Sequence, residues 1–148
     1  MNEHPMVQAA RDMATTAHRG QTDKAGAEYI GHPRRVAAAV SSHARSEWLP
    51  QAQAAAWLHD VLEDTAVTAE QLTARFPAEV VQAVRALTRR PGQNQEAYYA
   101  AVRANPIARA VKHADLDDNT DPERVAALDA PTRERLRVKY AHAREQLK

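Results

Sequence analysis

Apolar residues recur along most of the chain at the three- and four-residue spacing of amphipathic helices. One such stripe runs from Val80 to Leu87, and another from Leu136 to Leu147 near the C-terminus. Nowhere does a run of Val, Ile or Thr alternate with polar residues over five positions, which is the pattern that indicates a strand. The order of hydrophobic and polar positions therefore predicts an all-α fold.

Proline, glycine and capping residues set the limits of the predicted helices. Six of the eight prolines stand just before a segment of helical length, where a missing N–H costs little. The sequence from Thr68 to Gln71 is typical of a capping box, and the glycines predict loops over 20–31 and 90–94. We expect a single compact helical bundle over residues 1–148, with about eight helices at 4–18, 33–45, 50–64, 68–75, 77–88, 94–104, 106–119 and 122–147, the last with a break near Pro131.

Composition narrows the class of protein. The 148 residues, 44% hydrophobic and 26% charged, suit one globular domain. The net charge is +1, without the excess of basic residues that is expected of a nucleic-acid-binding protein. The absence of cysteine excludes disulfides and thiolate metal sites. Apolar runs are too short to span a bilayer and no signal pattern opens the chain, so we expect a cytoplasmic protein without a membrane partner.

One apolar helix carries an unusual concentration of ionisable residues. His59, Asp60, Glu63 and Asp64 fall within six positions after an alanine-rich stretch. On a continuous helix, His59 and Glu63 lie one turn apart, and so do Asp60 and Asp64. Buried carboxylates require a compensating cation, which favours a metal site. The alternative is a solvated acidic end of a helix.

Two further segments offer groups that could complete such a site. His32 follows Gly31 at the start of a predicted helix, a rigid position from which an imidazole can reach a metal. Lys112, Asp115 and Asn119 are spaced three and four apart and share one helix face. This face presents a cation, a carboxylate and an amide, which suits a metal-bound phosphate ester. The alternatives are a structural histidine near a helix cap and a polar outer face.

Together these segments supply two histidines and two aspartates: His32, His59, Asp60 and Asp115. Two nitrogens and two oxygens, with positions left for water, favour Mn²⁺, Fe²⁺ or Mg²⁺ over a closed zinc site. The set resembles that of the HD superfamily of metal-dependent phosphohydrolases, whose ligand order is His, then His-Asp, then a distant Asp.

The resemblance is closer to the RelA/SpoT-type alarmone hydrolase domain. Residues 17–26 and 29–33 are similar to the opening of that domain, 56–65 to its Leu-His-Asp-Val-Val-Glu-Asp-Thr block, and 111–119 to its Lys-Leu-Ala-Asp…Asn segment. The likeness covers about residues 8 to 142 and implies a small, stand-alone alarmone hydrolase. Such an enzyme hydrolyses a nucleotide 3′-diphosphate and releases pyrophosphate.

The resemblance also implies roles for individual residues. It makes His32, His59, Asp60 and Asp115 the metal ligands, usually for Mn²⁺. Glu63 and Asp64 match the catalytic acidic pair. Lys24 and Asn119 match substrate-contacting positions, and Tyr140 matches a late tyrosine near the nucleotide. In the mechanism that we expect, Lys112 or the Arg89-Arg90 pair would help Lys24 to neutralise phosphate charge, and a solvated helix end is the alternative for the two arginines.

The residues expected near the nucleotide base depart from the family pattern. Asp23 stands where guanine-alarmone hydrolases commonly have an arginine against the base, Leu116 replaces a basic residue, and Thr120-Asp121-Pro122 replaces Met-Arg. Because a carboxylate only accepts hydrogen bonds, Asp23 could bind an adenine amine, so (p)ppApp is a candidate beside (p)ppGpp. Another HD-type activity, such as a 5′-nucleotidase, and a non-catalytic nucleotide sensor remain alternatives. The expected partner is a small nucleotide, and the oligomeric state is open.

Overall fold

The computed structural model describes residues 3–148, so Met1 and Asn2 of the predicted domain lie outside the described residues. Within that range the predicted all-α fold is confirmed. Its helices are α1 (Pro5–Ala17), α2 (Gly31–Ala39), α3 (Leu49–Leu58), α4 (Val61–Asp64), α5 (Ala69–Arg75), α6 (Ala78–Leu87), α7 (Gln95–Ala104), α8 (Pro106–Asn119), α9 (Pro122–Ala126) and α10 (Ala130–Gln146). None of these helices has the length and apolar character needed to cross a membrane.

The structure divides the predicted helix 50–64. His59 ends α3, and the backbone of Asp60, with φ −110° and ψ 1°, leaves the helical path before α4 begins at Val61. The prediction of a continuous helix was wrong here because neither proline nor glycine marks the break. Because of this break, the side chains of His59 and Asp60 lie on the same side of the bundle, with Nε2 and Oδ2 3.1 Å apart.

Other limits shift by a few residues. The predicted helix 33–45 begins earlier, at Gly31, and ends at Ala39, followed by a 3₁₀ turn at Val40–Ser42. The last break lies at residues 127–129, before Pro131, because the side chain of Asp129 accepts from the Thr132 backbone N–H and starts a new helix. The capping box from Thr68 to Gln71 is confirmed, with both reciprocal hydrogen bonds present.

Helix α3 lies at the centre of the bundle, packed against α1, α2, α6 and α8. Ala54, Ala55, Ala56 and Leu58 are fully buried, and alanine side chains let the surrounding helices approach closely. The C-terminal end of α3 therefore lies beside the start of α2 and the middle of α8. These elements carry the predicted metal ligands.

A loop and the last helix stand over this end of the bundle. Residues 18–30 form a loop with an isolated bridge between Thr22 and Glu28, and Gln21 Nε2 donates to the carbonyl of Asp64 at 2.9 Å. Helix α10 buries Leu136 and Ala143 as it passes the same region. The loop and α10 thus supply two walls of a cavity above the predicted ligands.

Candidate active site

Three of the predicted ligands converge at the end of α3. His32, His59 and Asp115 are buried and each offers a ligand atom within 4.8 Å of the others. His32 Nε2 lies 2.8 Å from Asp115 Oδ1, and His59 Nε2 lies 3.5 Å from the same oxygen. This His-His-Asp group could bind a divalent metal ion.

The hydrogen bonding of His59 fits a metal ligand. Its Nδ1 lies 2.6 Å from the carbonyl oxygen of Ala56, which only accepts, so Nδ1 carries the proton. Once its Nε2 is deprotonated, His59 would direct the lone pair of that nitrogen toward the carboxylates of Asp60 and Asp115. This Nε2 is buried and has no hydrogen-bond partner among the described residues. A cation between these groups would satisfy both the nitrogen and the carboxylates.

The ring of His32 is held in the same way. Its Nδ1 lies 2.6 Å from Asp118 Oδ2, while its Nε2 faces Asp115. A carboxylate behind the imidazole fixes the Nδ1–H tautomer and leaves Nε2 for a metal. The donor atoms of both histidines therefore point to a common centre.

The charges at this centre are strongly coupled. Burial would raise the pKa of Asp115, but Lys112, His32 and His59 outweigh it and hold the pKa well below its usual range. Burial would lower the pKa of His59, but Asp60 and Asp115 raise it well above the usual value, and the pKa of His32 is also raised. Without a metal, protons on the imidazoles compensate the carboxylates.

Asp60 lies in a second, adjoining group with Glu63 and Asp64. Its Oδ2 is 3.1 Å from His59 Nε2 and accepts a hydrogen bond from the Tyr29 hydroxyl. Burial opposes ionisation of Asp60, but His59 lowers its pKa to about 2. The fourth predicted ligand thus connects the buried centre with the acidic pair.

The acidic pair lies at the more exposed side of the centre. Glu63 Oε1 accepts from the Arg89 backbone N–H at 2.8 Å. The pKa of Asp64 is raised by burial and by the neighbouring carboxylates of Asp60 and Glu63. A carboxylate with a raised pKa is suited to receive a proton during catalysis.

A cavity of about 450 Å³ opens above these groups. Carboxylates cluster at the metal-ligand end, and five cationic side chains line the remaining wall: Lys24, Arg89, Lys112, Arg124 and Lys139. Leu128 and Leu136 add an apolar part to the lining. The cavity therefore combines an end that could bind a metal ion with a cationic wall whose charge is complementary to phosphate.

The predicted substrate-binding residues all line this cavity. Lys112 Nζ lies 3.2 Å from Asp115 Oδ2, and Asn119 Nδ2 lies 3.3 Å from Asp115 Oδ1, so both also support the candidate ligand. Lys24 is exposed at the rim, and Tyr140 is half-buried opposite the carboxylates. The structure thus brings these residues together with the candidate metal ligands.

Asp23 is largely engaged by its own surroundings. Its Oδ1 accepts from the backbone N–H groups of Ala25 and Ala27 at 2.9 and 3.0 Å, an Asx-type turn. Its Oδ2 lies 3.5 Å from Arg124 Nη2. The residue that was predicted to face the base therefore also holds a cavity arginine.

Sequence reasoning missed several residues of the site. Tyr29 and Asp118 contact candidate ligands directly, and Arg124 and Lys139 line the cavity. The Arg89 guanidinium stacks over the Tyr98 ring, 4.3 Å from its centroid, and also lines the cavity. Tyr29 and Asp118 lie within the segments 29–33 and 111–119 that carry the family resemblance, and this position was the only indication of their role in the sequence.

Comparison with known proteins agrees with the geometry. A guanosine-3′,5′-bis(diphosphate) 3′-pyrophosphohydrolase of Haemophilus influenzae is 44% identical over 73 residues, which are 49% of this chain and 10% of that protein. The protein of the same name from Aquifex aeolicus is 30% identical over 121 residues, covering 76% of this chain and 17% of the relative. This chain therefore corresponds to a small part of these relatives.

A solved structure shares the fold. It is described as a metazoan ortholog of SpoT that hydrolyses ppGpp, and it superposes with a TM-score of 0.78 at 22% identity, covering 100% of this chain and 88% of the other. The family model described as HD domain matches residues 10–128. Since this match includes the elements that carry all four candidate ligands, the chain belongs to the HD domain family.

Proposed function

We propose that the protein is a metal-dependent 3′-pyrophosphohydrolase of alarmones of the (p)ppGpp or (p)ppApp type. The observation that carries this proposal is the His32–His59–Asp115 group, with its unpartnered histidine nitrogen, at the acidic end of a cavity lined by cations. The names of the related pyrophosphohydrolases support the choice of substrate class.

Four residues would hold the ion: His32, His59, Asp60 and Asp115. Their nitrogen and carboxylate donors suit Mn²⁺, which we propose as the cofactor. When bound, the ion supplies Lewis acidity, which acidifies water and withdraws charge from a phosphoryl group. Tyr29 donates to Asp60, and the raised pKa of Tyr29, due first to burial and then to Asp60, keeps that proton in place.

The acidic pair would move protons. Asp64 takes a proton from the water that attacks the phosphorus next to the 3′ oxygen, and the bond from that phosphorus to the 3′ oxygen breaks. The proton taken by Asp64 is passed to the departing 3′ oxygen, which leaves as a hydroxyl group, and pyrophosphate is released. Glu63, held by the backbone of Arg89 at 2.8 Å, orients the attacking water.

The cationic wall would neutralise the substrate's phosphates. Lys24, Arg89 and Lys139 surround the open part of the cavity, and Lys112 lies next to Asp115. The pKa of Lys139 is lowered by burial and by the neighbouring cations Arg89 and Lys24, and an incoming phosphate would relieve this repulsion. We place Asn119, Tyr140 and the Asp23–Arg124 pair on the nucleoside side of the substrate.

The proposal extends to the domain and its setting. A single hydrophobic cluster joins α1 to α8 with the end of α10, which supports one domain over residues 1–148. A small nucleotide is the proposed partner, rather than a nucleic acid or a membrane, and the cytoplasm is the proposed location.

The test is an assay of the purified protein with Mn²⁺ against ppGpp, ppApp and GMP, with pyrophosphate and phosphate measured separately. We expect pyrophosphate from at least one alarmone. Asp60→Ala should abolish both Mn²⁺ binding and turnover, whereas Asp117→Asn, an exposed carboxylate paired with His43 and Arg144, should retain both.

Other products would point to other functions. Release of phosphate from GMP, with no pyrophosphate from either alarmone, would indicate a 5′-nucleotidase. Binding of an alarmone without release of any product would indicate a sensor. Either result, or full activity in Asp60→Ala, would contradict the proposal.

A further inference from the structure

Asp118 is a buried carboxylate that lies behind the metal centre. Its side chain is 5% exposed, and it stands on α8, one turn after Asp115. Burial would raise the pKa of Asp118, but hydrogen bonds from His32 and Arg35 outweigh this effect and hold the pKa below its usual range. The nitrogen donors around this carboxyl group make it an acceptor.

Three side chains, two from α2 and one from α9, donate to this one carboxylate. His32 Nδ1 and Arg124 Nη1 share its Oδ2, at 2.6 and 2.7 Å, and Arg35 Nε lies 2.7 Å from its Oδ1. Arg124 Nη1 also approaches the backbone carbonyl of Asp118 at 3.3 Å. One carboxylate thus holds both a candidate metal ligand and an arginine of the cavity wall.

Each of these partners has few other restraints. His32 is aimed at the centre by Asp118 on one side and by Asp115 on the other. Arg124 stands on α9, a helix of five residues without a buried side chain, and its other side-chain partner is Asp23 at 3.5 Å. Removal of Asp118 would therefore loosen both the imidazole and the guanidinium.

We propose that Asp118 is a positioning residue that orients His32 toward the metal and Arg124 toward the nucleotide at the same time. The part that concerns His32 depends only on metal binding at the candidate ligands. The part that concerns Arg124 rests on the proposed alarmone hydrolysis. Asp118 touches neither metal nor substrate and acts through its two partners.

The experiment measures three quantities for each variant: the Mn²⁺ dissociation constant of the metal-free protein by calorimetry, its melting temperature, and KM and kcat for the alarmone that is turned over. Asp118→Ala should weaken Mn²⁺ binding about 10- to 100-fold, the range typical of lost partners behind metal ligands, and should also raise KM. Asp118→Asn keeps one acceptor for His32, so its loss of Mn²⁺ affinity should be smaller.

Two matched variants separate the roles. Arg124→Gln should raise KM about tenfold, as for a lost charged hydrogen bond, and leave Mn²⁺ affinity within twofold because Arg35 still holds Asp118. Asp117→Asn, on the adjacent exposed carboxylate, should change neither quantity. If Asp118→Ala fails to fold, Asp118→Asn decides the matter.

A lower melting temperature of the Asp118 variants with unchanged Mn²⁺ affinity would show a merely structural role and overturn the proposal. Weaker Mn²⁺ binding with KM unchanged would overturn its Arg124 part. Absence of alarmone turnover in the unmodified protein would contradict the proposed function, while the Mn²⁺ titration would still decide the part concerning His32.

Discussion

Asp64 combines an exposed position next to the metal centre with a raised pKa, caused by burial and by the carboxylates of Asp60 and Glu63. Its ionised form is the one that can take a proton from water. Because the pKa of Asp64 is raised, the fraction in that form falls as the pH drops toward the acid range. At the level of single residues, we therefore expect the acid limb of the pH profile to reflect Asp64, the proposed general base.

We expect Asp64→Asn to lower kcat about 10²- to 10⁴-fold, the usual contribution of a general base, because an amide cannot accept the proton. The Mn²⁺ affinity should stay within threefold, since Asp64 is outside the His-His-Asp group. The measurement is kcat against pH with saturating Mn²⁺. A variant with the same kcat and the same acid limb would show that another group is the base.

A second pH effect belongs to the histidines. In the metal-free protein the pKa values of His32 and His59 are raised, so each Nε2 holds a proton at a pH where a free histidine has lost it. Metal binding must displace these protons. Mn²⁺ affinity should therefore rise with pH up to the raised pKa values and fall as the pH decreases.

Calorimetric titration of Mn²⁺ between pH 6 and pH 8, in buffers of different ionisation enthalpy, measures both the affinity and the protons released. We expect weaker binding at the lower pH and release of one proton or more per ion. The same affinity across this range, without proton release, would show that the imidazoles are not ligands.

At the scale of elements, α3 depends on small side chains. Ala55 is fully buried where α3 packs between its neighbouring helices. Ala55→Leu adds a volume for which the core has no space and should lower the free energy of unfolding by about 1–3 kcal/mol. Ala100→Leu, at an exposed position on α7, is the matched control and should change it by less than about 0.5 kcal/mol. Urea denaturation of both variants would show the difference, and equal stability would contradict tight packing around α3.

The end of α3 also shows how far sequence reasoning reaches. The ionisable residues that follow its alanines are recognisable because charge is costly inside such a helix. The break at Asp60 is not recognisable, since no glycine or proline marks it and a tertiary contact with Tyr29 accompanies it. Local sequence patterns predict helices and their caps, whereas a break at a single residue such as Asp60 depends on partners that are distant in the sequence.

Asp118 and Arg124 illustrate the same limit at the site. Asp118 stands in a motif rich in aspartate, and spacing alone does not separate it from the exposed Asp117. Its partners His32 and Arg35 are more than 80 positions away, and Arg124 approaches only because α9 turns back. Spacing and resemblance singled out the candidate ligands, but the hydrogen-bond network behind them required the three-dimensional structure.

For the whole molecule, the candidate metal site joins three parts of the bundle. Its candidate ligands come from α2, from the junction of α3 with α4, and from α8. An ion that binds only the folded chain stabilises it by about 2.7 kcal/mol when its free concentration is a hundredfold above the dissociation constant.

For a chain of this size, that stabilisation corresponds to a melting temperature about 5–10 °C higher. Thermal unfolding with Mn²⁺ and with EDTA measures the difference, and Asp60→Ala should show none of it. An identical melting temperature of the unmodified protein in both conditions would contradict an ion shared between these helices.

The attachment of α10 is uneven. Near its C-terminal end, the Arg103 and Arg109 side chains donate to the carbonyls of Gln146 and Leu147, and Leu147 is fully buried. In its first half, Leu136 is the buried residue, although this half forms part of the cavity wall. The helix is thus anchored at one end and lightly held at the other.

Local opening follows from this asymmetry, since segments with few buried contacts unfold at a smaller free energy than the core. Backbone amides of residues 133–138 should exchange with deuterium sooner than those of α3 and of residues 142–146. A nucleotide held in the cavity should slow that exchange, so mass spectrometry would locate the side from which the substrate enters. Exchange in α10 as slow as in α3 would instead place the entrance at the loop of residues 18–30.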